Sequence, residues 1–484
     1  MEEMVAFLNE IVWSNALIVL CLGAGLYFSL RTRFLQVRHF REMFRLLFDG
    51  ESSESGVSSF QALSMSLAGR VGTGNIAGVA TAIAFGGPGA LFWMWIVAFL
   101  GASTAFIEAT LAQIYKEENK GLLRGGPSFY IEQGLGVKWF ATAFAIVAVV
   151  AMGVLLPGVQ ANSVAEGFQN AFQLNTWISG IGLALIFAAI VFGGVKRIAK
   201  FTELIVPFMA AAYILASVII VVMDIHRLPE IIVLIFKSAF NQEASFGAVF
   251  GLAVQWGVKR GIYSNEAGQG SAPHIAAAAN VSHPTKQGLV QAFSVYIDTL
   301  LVCSATGFMI LITGTYNVQN PAFGTAGASE FLYSGLASVS PGAGYTQSAM
   351  DTLFPGVGSY FVAFALFFFA FTTILAYYYI AETNVSYLTK KIKSPIFIHL
   401  LKITMLLIIV YGSVNTAKLA WDIGDLGVGL MAWFNIIAIL ILQKPALAAL
   451  KDYEKQKKAG KDPQFNPKDI SVYNAPIWEK NQNS

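Results

Sequence analysis

The stretch "VGTGNIAG", from Val71 to Gly78, places three glycines, a threonine and an asparagine within a run of otherwise apolar residues. A glycine in a helix interior costs about 1 kcal/mol relative to alanine, and an unpaired peptide group in hydrocarbon costs more. Backbone exposed at such a break can present N–H groups to an anion and carbonyl groups to a cation. We therefore expect Thr73, Gly74 and Asn75 to offer N–H groups to a carboxylate at the start of the following half-helix. The alternative is a stripe of small residues that packs against another helix.

A second stretch, "QWGVKRGIYSNEAGQGSAP" from Gln255 to Pro273, combines glycines with three charged side chains. Lys259, Arg260 and Glu266 would each be costly inside a bilayer, so they need a partner or water. One interpretation puts the two basic residues in an unwound or cytoplasm-facing section, with Glu266 as their partner. The other ends the span earlier, so that all three residues lie in an inner loop.

These stretches lie in a chain of 484 residues that is 56% hydrophobic and only 12% charged, whereas about a quarter of the residues in soluble proteins are charged. Apolar segments of about 18 or more residues recur, each long enough to cross a hydrocarbon core of about 30 Å. The sequence therefore predicts an all-α polytopic membrane protein with about eleven transmembrane helices. The predicted spans cover residues 12–30, 60–84, 90–114, 138–158, 174–194, 202–223, 246–277, 288–313, 356–381, 396–414 and 424–443.

Positive charge indicates the orientation, because cytoplasmic loops carry the excess of Lys and Arg. With the amino terminus outside and the carboxyl terminus in the cytoplasm, most basic residues fall in inner segments, and only Arg227, Lys237 and Lys418 fall outside. Acidic residues precede the first span and arginines follow it, the reverse of a cleavable signal, so we expect a retained span. The chain is thus predicted to be a multi-pass protein of the plasma (inner) membrane. Its Lys-rich tail, residues 444–484, is predicted to be a solvated cytoplasmic end that is helical at first.

The two glycine-interrupted spans, 60–84 and 246–277, lie five spans apart. Without the first span, the other ten form two sets of five, and the second set runs inverted through the membrane because five is odd. Interrupted spans at matching positions of inverted halves are typical of a secondary transporter with a substrate site near the midplane. We divide the chain into an amino-terminal span with a basic segment (1–57), a first repeat (58–230), an inverted second repeat (231–443) and the tail (444–484).

The remaining polar residues suggest less chemistry. Cys21 and Cys303 are expected to be small buried residues, and His274 and His283 to line a cytoplasmic vestibule rather than to bind metal. Four acidic residues are expected to be paired or to face a vestibule rather than to bind ions: Glu108, Glu166, Glu203 and Asp298. A polar, Gly-rich and Ser-rich loop at roughly 314–355 should lie outside.

Two other functional classes are weaker interpretations. A channel should repeat pore-lining segments about the membrane normal, and an enzyme should carry HExxH, GxSxG or a paired His and carboxylate in a span. None is evident in the sequence. No basic patch supports nucleic-acid binding.

Six blocks of sequence resemble the alanine or glycine:cation symporter family, the sodium:alanine symporters. The longest is "GGPGALFWMWIVAFLG", from Gly86 to Gly101, which matches the family signature at every position. The others are "GTGNIAGVATAIA" from Gly72, "RGGPSFYI" from Arg124, "QANS" from Gln160, "SNEAGQGSAP" from Ser264 and "FAFTTILAYYY" from Phe369. The resemblance covers nearly the whole chain.

The resemblance implies a leucine-transporter-like fold, a five-plus-five inverted repeat preceded by one extra span. It implies that Thr73 and Gly74 hold the substrate carboxylate, that Gln160 reaches the amine, and that three residues wall the side-chain pocket: Tyr263, Thr373 and Tyr377. It also implies a sodium site built from backbone carbonyls near Ala68 and Val71 and from the hydroxyls of Thr372 and Thr373. Oxygen ligands suit sodium because it is a hard ion.

Alternatives exist for the polar members of this set. The two threonines could bond only to carbonyls of their own helix. Gln160 could cap a local break after Pro157 and Gly158.

The resemblance further implies sodium-coupled import of alanine and glycine by alternating access, without a cofactor and as a monomer. The chain departs from the commonest family pattern at Tyr377, where tryptophan is usual, and at Tyr263, where phenylalanine is usual. A wider, more polar pocket that takes glutamine or serine is therefore an alternative, because size selectivity is worth only about 1 to 3 kcal/mol per methylene. Coupling to protons in place of sodium is another alternative.

Overall fold

The computed structural model describes residues 2–47, 57–119, 121–240, 250–324, 328–337, 339–392 and 394–480. The chain is mostly helical, with two small antiparallel hairpins. In the amino-terminal half the helices are α1 (Glu2–Val12), α2 (Asn15–Arg31), α3 (Leu35–Arg38), α4 (Phe40–Leu46), α5 (Ser59–Arg70), α6 (Val79–Gly86), α7 (Gly89–Ile114), α8 (Pro127–Tyr130), α9 (Lys138–Val150), α10 (Leu156–Phe172), α11 (Thr176–Val191), α12 (Val195–Met223) and α13 (Leu228–Ala239).

The carboxyl-terminal half continues the numbering. Its helices are α14 (Phe250–Asn265), α15 (Ala272–Ala278), α16 (Pro284–Val295), α17 (Ser304–Thr313), α18 (Ala343–Leu353), α19 (Gly358–Leu388), α20 (Ile396–Val414), α21 (Ala417–Lys458) and α22 (Pro476–Lys480). The strands are β1 (Glu117–Asn119), β2 (Leu122–Arg124), β3 (Asn317–Gln319) and β4 (Phe331–Ser334).

Seven continuous helical segments of the described chain are long and apolar enough to cross a membrane. They are Gly89–Ile114, Lys138–Phe172, Lys196–Met223, Pro284–Thr313, Gly358–Leu388, Ile396–Val414 and Ala417–Lys458. Helices α1 and α2, bent by 42° at a short break, form an eighth if they count as one span. Counted in this way, the first span would begin at Glu2 rather than at residue 12.

Three of the predicted spans are absent from this set, for different reasons. The predicted span 174–194 corresponds to α11, an apolar helix of 16 residues, which is shorter than the 18 residues required of the helices named above. The spans 60–84 and 246–277 are each divided into two shorter helices, α5 with α6 and α14 with α15. Both divisions fall where the sequence predicted interrupted helices.

Helix α5 begins with a hydrogen-bonded capping box. The Ser58 hydroxyl accepts the Gln61 backbone N–H at 3.1 Å, and the Gln61 side chain accepts the Ser58 N–H at 3.1 Å. Such a box satisfies backbone donors that a helix start leaves free. The start of this half-helix is therefore set by its own sequence, and its end by the glycines that follow Arg70.

Small residues allow the broken helices to approach α7 closely. A Cβ placed on Gly257 of α14 would come 2.5 Å from Cβ of Trp93 and 2.7 Å from the carbonyl oxygen of Ala90. Only glycine therefore fits at this crossing. Trp93 and Trp95 of α7 contact neighbouring helices, with Trp95 Nε1 donating to the Ser304 hydroxyl at 2.8 Å.

The described residues of the polar loop at 314–355 include regular structure. Strand β3 pairs antiparallel with β4, and α18 precedes the long helix α19. The Asn317 side chain closes the hairpin, because its Oδ1 accepts the backbone N–H groups of Gly335 and Leu336, each at 2.9 Å.

The tail, predicted to be solvated, is only partly so, because several of its apolar residues are buried. Helix α21 continues to Lys458, and beyond it Phe465, Ala475 and Trp478 are buried. The Trp478 indole donates to the backbone carbonyl of Gln113 at 2.9 Å, so apolar side chains in the Lys-rich segment anchor it to the helical bundle.

Candidate functional site

The first break separates α5 from α6. After Arg70 the backbone leaves the helix at Val71 and re-enters it through a π-helical turn, Gly74–Gly78. The Asn75 side chain closes this break, because its Oδ1 accepts the Gly72 N–H at 2.8 Å. The Asn75 N–H donates to the Gly72 carbonyl at 3.2 Å. Asn75 thus shapes the break, and its own N–H, which was predicted to face a ligand, is used within the break.

The second break, residues 266–271, separates α14 from α15. Glu266, Gly268 and Gly270 all have positive φ, at 57°, 84° and 83°. The left-handed conformation suits glycine and is unusual for glutamate. The Asn265 side chain accepts the Ala267 N–H at 3.0 Å and holds the chain in this turn.

The two breaks lie against each other at the centre of the helical bundle. A Cβ on Gly74 would come 3.2 Å from Cδ1 of Tyr263 and 3.2 Å from Cα of Ser264, both at the end of α14. A Cβ on Gly72 would come 2.5 Å from the Thr373 hydroxyl oxygen and 3.1 Å from Gln160 Oε1. These glycines therefore let α10, α14 and α19 converge on one short length of backbone.

Gln160 of α10 reaches the first break. Its Oε1 accepts the Thr73 backbone N–H at 3.1 Å, and its Nε2 donates to the Tyr377 hydroxyl at 3.4 Å. The side chain thus caps the first break and not a break in its own helix, where Pro157 and Gly158 lie within the helical turns. The Thr73 N–H, which is predicted to bind a carboxylate, thus already donates to Gln160.

Two hydroxyl groups at this position are buried without a hydrogen-bond partner in the described part of the chain. They belong to Thr73 and Tyr263. The Tyr263 ring packs against Trp421, with the ring centroids 5.0 Å apart. A polar ligand placed between Thr73, Gln160 and Tyr263 would satisfy both hydroxyls, and buried polar groups need such partners.

Only some of the predicted sodium ligands lie close to one another. The Thr373 hydroxyl lies 2.7 Å from the Ala68 carbonyl oxygen and 3.5 Å from that of Val71. The Thr372 hydroxyl instead bonds to its own helix, to the carbonyls of Phe368 at 2.9 Å and Phe369 at 3.1 Å. The Thr373 hydroxyl therefore contacts two carbonyls of the first break. The Thr372 hydroxyl bonds only to the preceding turn of its own helix, which is the alternative that the sequence left open for it.

Asp298, predicted to be paired, ties the two breaks together. Its Oδ1 accepts from Asn75 Nδ2 at 2.6 Å, and its Oδ2 accepts from the hydroxyls of Ser264 at 2.9 Å and Thr299 at 2.7 Å. Asn75 belongs to the first break and Ser264 to the end of α14. The Cys303 thiol lies 3.2 Å from the Ser264 hydroxyl in the same buried cluster.

Both interpretations of Lys259 and Arg260 are wrong. The two residues lie within α14, are buried, and pair with Asp425 of α21 rather than with Glu266. Arg260 makes a bidentate pair at 2.7 and 2.9 Å, and Lys259 Nζ lies 2.7 Å from Asp425 Oδ2. The guanidinium also stacks over Trp421, 4.4 Å from its ring centroid. A buried partner on a distant helix makes unwinding unnecessary.

A second polar network lies further along α19, beyond Thr373. Arg124 and Glu382 form a buried ion pair at 2.7 Å, and the Asn384 side chain lies 2.8 Å from His274 Nε2. His274 and His283 are fully buried, so in this structure they do not line the predicted cytoplasmic vestibule.

The predicted site residues are all buried. The structure brings together Ala68, Val71, Thr73, Gly74, Gln160, Tyr263, Thr373 and Tyr377 around the first break. In the described chain, no group of three or more His, Cys, Asp and Glu side chains is arranged to hold a metal ion.

Comparison with known proteins identifies the family. The sodium:alanine symporter family matches residues 1–467. The Bacillus subtilis (strain 168) protein YrbD, whose name proposes a sodium/proton-dependent alanine carrier, is 60% identical over 480 residues, covering 99% of this chain and 98% of its own length. GlnT of the same organism, whose name proposes a sodium/glutamine symporter, is 44% identical over 467 residues, covering 96% and 93%.

A solved transporter shares the fold. The crystal structure of the Eremococcus coleocola manganese transporter, in complex with an aromatic bis-isothiourea compound, aligns with a TM-score of 0.50 at 10% identity, covering 85% of this chain and 89% of that chain. At this identity the likeness concerns the fold alone. The family and both relatives are transporters rather than enzymes. Since the family match covers nearly the whole sequence, this chain belongs to the sodium:alanine symporter family.

Proposed function

We propose that the protein imports a small neutral amino acid, alanine or glycine, together with sodium by alternating access. The observation that carries the proposal is the convergence of two broken helices on Thr73, Gly74 and Thr373. Broken helices at the centre of a membrane protein supply N–H groups for a carboxylate and carbonyl groups for a cation. The membership of a symporter family supports the same function.

The substrate is proposed to displace Gln160 from the first break. A carboxylate that binds the N–H groups of Thr73 and Gly74 would replace Gln160 Oε1, which accepts the Thr73 N–H at 3.1 Å. The released amide oxygen could then accept a hydrogen bond from the substrate ammonium group. A charge-assisted bond is stronger than the neutral one that it replaces. One side chain would thus hold the empty site closed and recognise the amine of the bound substrate.

Sodium is proposed to bind between the first break and α19. The Ala68 and Val71 carbonyls and the Thr373 hydroxyl supply three oxygen atoms. The resemblance adds the Thr372 hydroxyl, which would have to leave the carbonyls of its own helix to reach the ion. Because the ion would join the first break to α19, its binding would stabilise the conformation that also binds substrate, as coupling requires.

The full topology is proposed as eleven spans. The seven continuous spans, the bent pair α1 and α2, the short helix α11, and the two broken spans α5 with α6 and α14 with α15 support this count. We retain the division into 1–57, 58–230, 231–443 and 444–484, with residues 58–230 and 231–443 as inverted five-span repeats. The amino terminus is proposed to lie outside and the carboxyl terminus in the cytoplasm of a plasma-membrane protein that acts as a monomer.

Two ion-pair networks are proposed as the alternating barriers. Arg260 with Asp425 lies on one side of the site, and Arg124 with Glu382 lies on the other. In the proposed orientation the first pair faces outside and the second faces the cytoplasm. Both ion pairs are formed in this structure. An uncoupled channel, the alternative from another functional class, would need both barriers open at once.

A second candidate substrate is glutamine. Tyr377 and Tyr263 replace larger or less polar side chains of the usual family pattern, and a relative that is 44% identical carries a name that proposes glutamine transport. The Tyr377 hydroxyl already accepts a hydrogen bond from a side-chain amide, that of Gln160, at 3.4 Å. Serine is the smaller polar alternative. Protons remain an alternative to sodium, because the name of the relative YrbD includes both ions.

Equilibrium binding to the purified protein tests the proposed site. Radiolabelled alanine should bind in sodium chloride and much more weakly in choline chloride of equal ionic strength, and excess glycine should displace it. Alanine binding that is equal in the two salts would contradict the shared ion and substrate site. Displacement by glutamine but not by glycine would favour the second candidate.

A further inference from the structure

Glu266 is a buried carboxylate without a hydrogen-bonding partner. It lies at the start of the second break, in the left-handed conformation, and only 1% of the residue is exposed. Neither carboxylate oxygen accepts a hydrogen bond from any residue that the structure describes. The Ser271 hydroxyl is likewise buried without a hydrogen-bond partner among the described residues. Burial of an ionised carboxylate without partners is so costly that the group takes up a proton or a cation.

The position of Glu266 connects it to the proposed sodium site. Its Oε2 lies 3.4 Å, and the Cβ of Ala376 3.5 Å, from the point where a Cβ on Gly69 would stand. Gly69 follows Ala68, whose carbonyl contacts Thr373, and Ala376 lies about one helical turn beyond Thr373. The Glu266 carboxylate therefore lies close to Ala68 and Thr373, two residues of the proposed sodium site.

The charges around Glu266 do not balance if every group is ionised. Arg70 of α5 is within electrostatic range of Glu266, Glu108 of α7 and Asp298. Tyr263 of α14 and Tyr377 of α19 are also within electrostatic range of Glu266, and both are neutral as phenols. Within this part of the described chain, one guanidinium thus stands against three carboxylates. Two uncompensated negative charges in a buried site are strongly unfavourable.

Hydrogen bonds distinguish the three carboxylates. Glu108 accepts the Gly268 N–H at 3.2 Å and Asn435 Nδ2 at 2.7 Å, and Asp298 accepts from three side chains, as described above. Such bonds favour the ionised form. Arg70 gives its hydrogen bonds to the carbonyl of Gln291 and the hydroxyl of Ser294 and does not reach Glu266. Glu266 is therefore the one of these three carboxylates whose charge no hydrogen bond from the described residues stabilises.

We propose that Glu266 is a proton-binding site of the transport cycle, protonated while the site is closed and exchanging its proton with water when the second break moves. This inference rests on the proposed function and deepens it, because it names a residue that links uptake to protons. A proton fits better than a second metal ion. The Arg70 guanidinium would repel a metal cation, and hard cations need several oxygen ligands, whereas Gly69 and Ala376 offer apolar contact.

Proton movement into proteoliposomes tests the proposal. The vesicles carry a pH-sensitive dye inside, and alanine is added outside with sodium. The wild-type protein should acidify the lumen as alanine enters. Glu266→Gln, which imitates the protonated group, should still exchange labelled alanine across the membrane but should acidify the lumen at least about fivefold more slowly. Glu166→Gln makes the same chemical change beside Gly342, away from the cluster, and should acidify the lumen as the wild type does.

Two results would overturn the proposal. One is acidification by Glu266→Gln at the wild-type rate, and the other is sodium-driven alanine uptake by the wild type without any acidification. An absence of sodium-dependent alanine uptake by the wild type would instead count against the proposed function.

Chemical labelling of the purified wild-type protein decides the protonation state without a variant and without transport. A hydrophobic carbodiimide reacts with protonated carboxyl groups in apolar surroundings, and mass spectrometry locates the adduct. Modification of Glu266 at neutral pH, decreasing as the pH is raised, supports the proposal. Modification of Asp298 or Glu108, with Glu266 unmodified, would overturn it.

Discussion

The hydroxyl oxygen of Thr373 lies 2.7 Å from the carbonyl oxygen of Ala68, so a side chain of α19 contacts the backbone of the first break directly. The neighbouring hydroxyl of Thr372 contacts only carbonyls of its own helix. Two adjacent threonines in one helix thus have different surroundings because successive residues point about 100° apart.

Thr373→Val should raise the sodium concentration needed for half-maximal alanine uptake by about tenfold or more, because valine keeps the shape of the side chain but removes the oxygen. The measurement is the sodium dependence of uptake at saturating alanine. Thr372→Val is the matched comparison, and the contacts predict a smaller shift for it. If the sodium dependence of Thr373→Val equals that of the wild type, Thr373 does not belong to the ion site.

Gln160→Leu should weaken alanine binding by roughly 10- to 100-fold, because the substrate ammonium group and the Tyr377 hydroxyl each lose a partner. The measurement is the alanine concentration for half-maximal uptake at saturating sodium. Gln169→Leu, at an exposed position of the same helix, is the control and should leave this value unchanged. An unaltered alanine affinity in Gln160→Leu would contradict the proposed displacement of Gln160 by substrate.

Tyr377→Trp should narrow the pocket and reduce competition by glutamine about tenfold or more, with a smaller effect on alanine. The reason is that a difference of one methylene group in a packed pocket is worth about 1 to 3 kcal/mol. Tyr377→Phe, which removes only the hydroxyl, separates bulk from polarity. The measurement is inhibition of labelled alanine uptake by unlabelled glutamine. Equal inhibition in the wild type and Tyr377→Trp would show that residue 377 does not set the size limit.

Asp425→Asn should lower the free energy of unfolding by about 3 to 5 kcal/mol, because it leaves Lys259 and Arg260 buried without an anionic partner. Thermal unfolding of the purified protein in detergent reports the loss. Asp422→Asn is the control on the same helix, since its pair with the exposed Lys418 should contribute about 1 kcal/mol at most. Comparable melting temperatures for the two variants would argue against a structural role of the Asp425 ion pairs.

Much of the central architecture follows from local sequence. Glycines within apolar runs predicted both breaks, and the structure shows the reason at Gly72 and Gly74, where a side chain would crowd Thr373 and Ser264. The pairing of Lys259 and Arg260 could not be predicted in the same way. Both charges are evident in the sequence, but their partner Asp425 lies 165 residues from Arg260 and belongs to a different helix. Only tertiary packing decides which buried anion meets which cation.

Helix rotation explains a second group of differences. The sequence treats Thr372 and Thr373 alike, and only the orientation of α19 directs one hydroxyl to the first break. The tail shows a similar effect. Its lysines suggested a solvated segment, whereas Phe465 and Trp478, spaced 13 residues apart, pack against each other with ring centroids 4.9 Å apart. Isolated aromatic residues in a charged segment give no periodic signal from which such packing could be predicted.

The most direct test of coupled transport is accumulation of radiolabelled alanine in proteoliposomes that contain the purified protein. A tenfold inward sodium gradient with a membrane potential of about 100 mV, negative inside, can sustain roughly several-hundred-fold accumulation at one ion per substrate. We expect alanine to accumulate well above equilibrium. This accumulation should require the sodium gradient and should be lost when an ionophore dissipates that gradient. Alanine that only equilibrates, at the same rate in sodium and potassium, would contradict coupled transport and would favour the uncoupled channel.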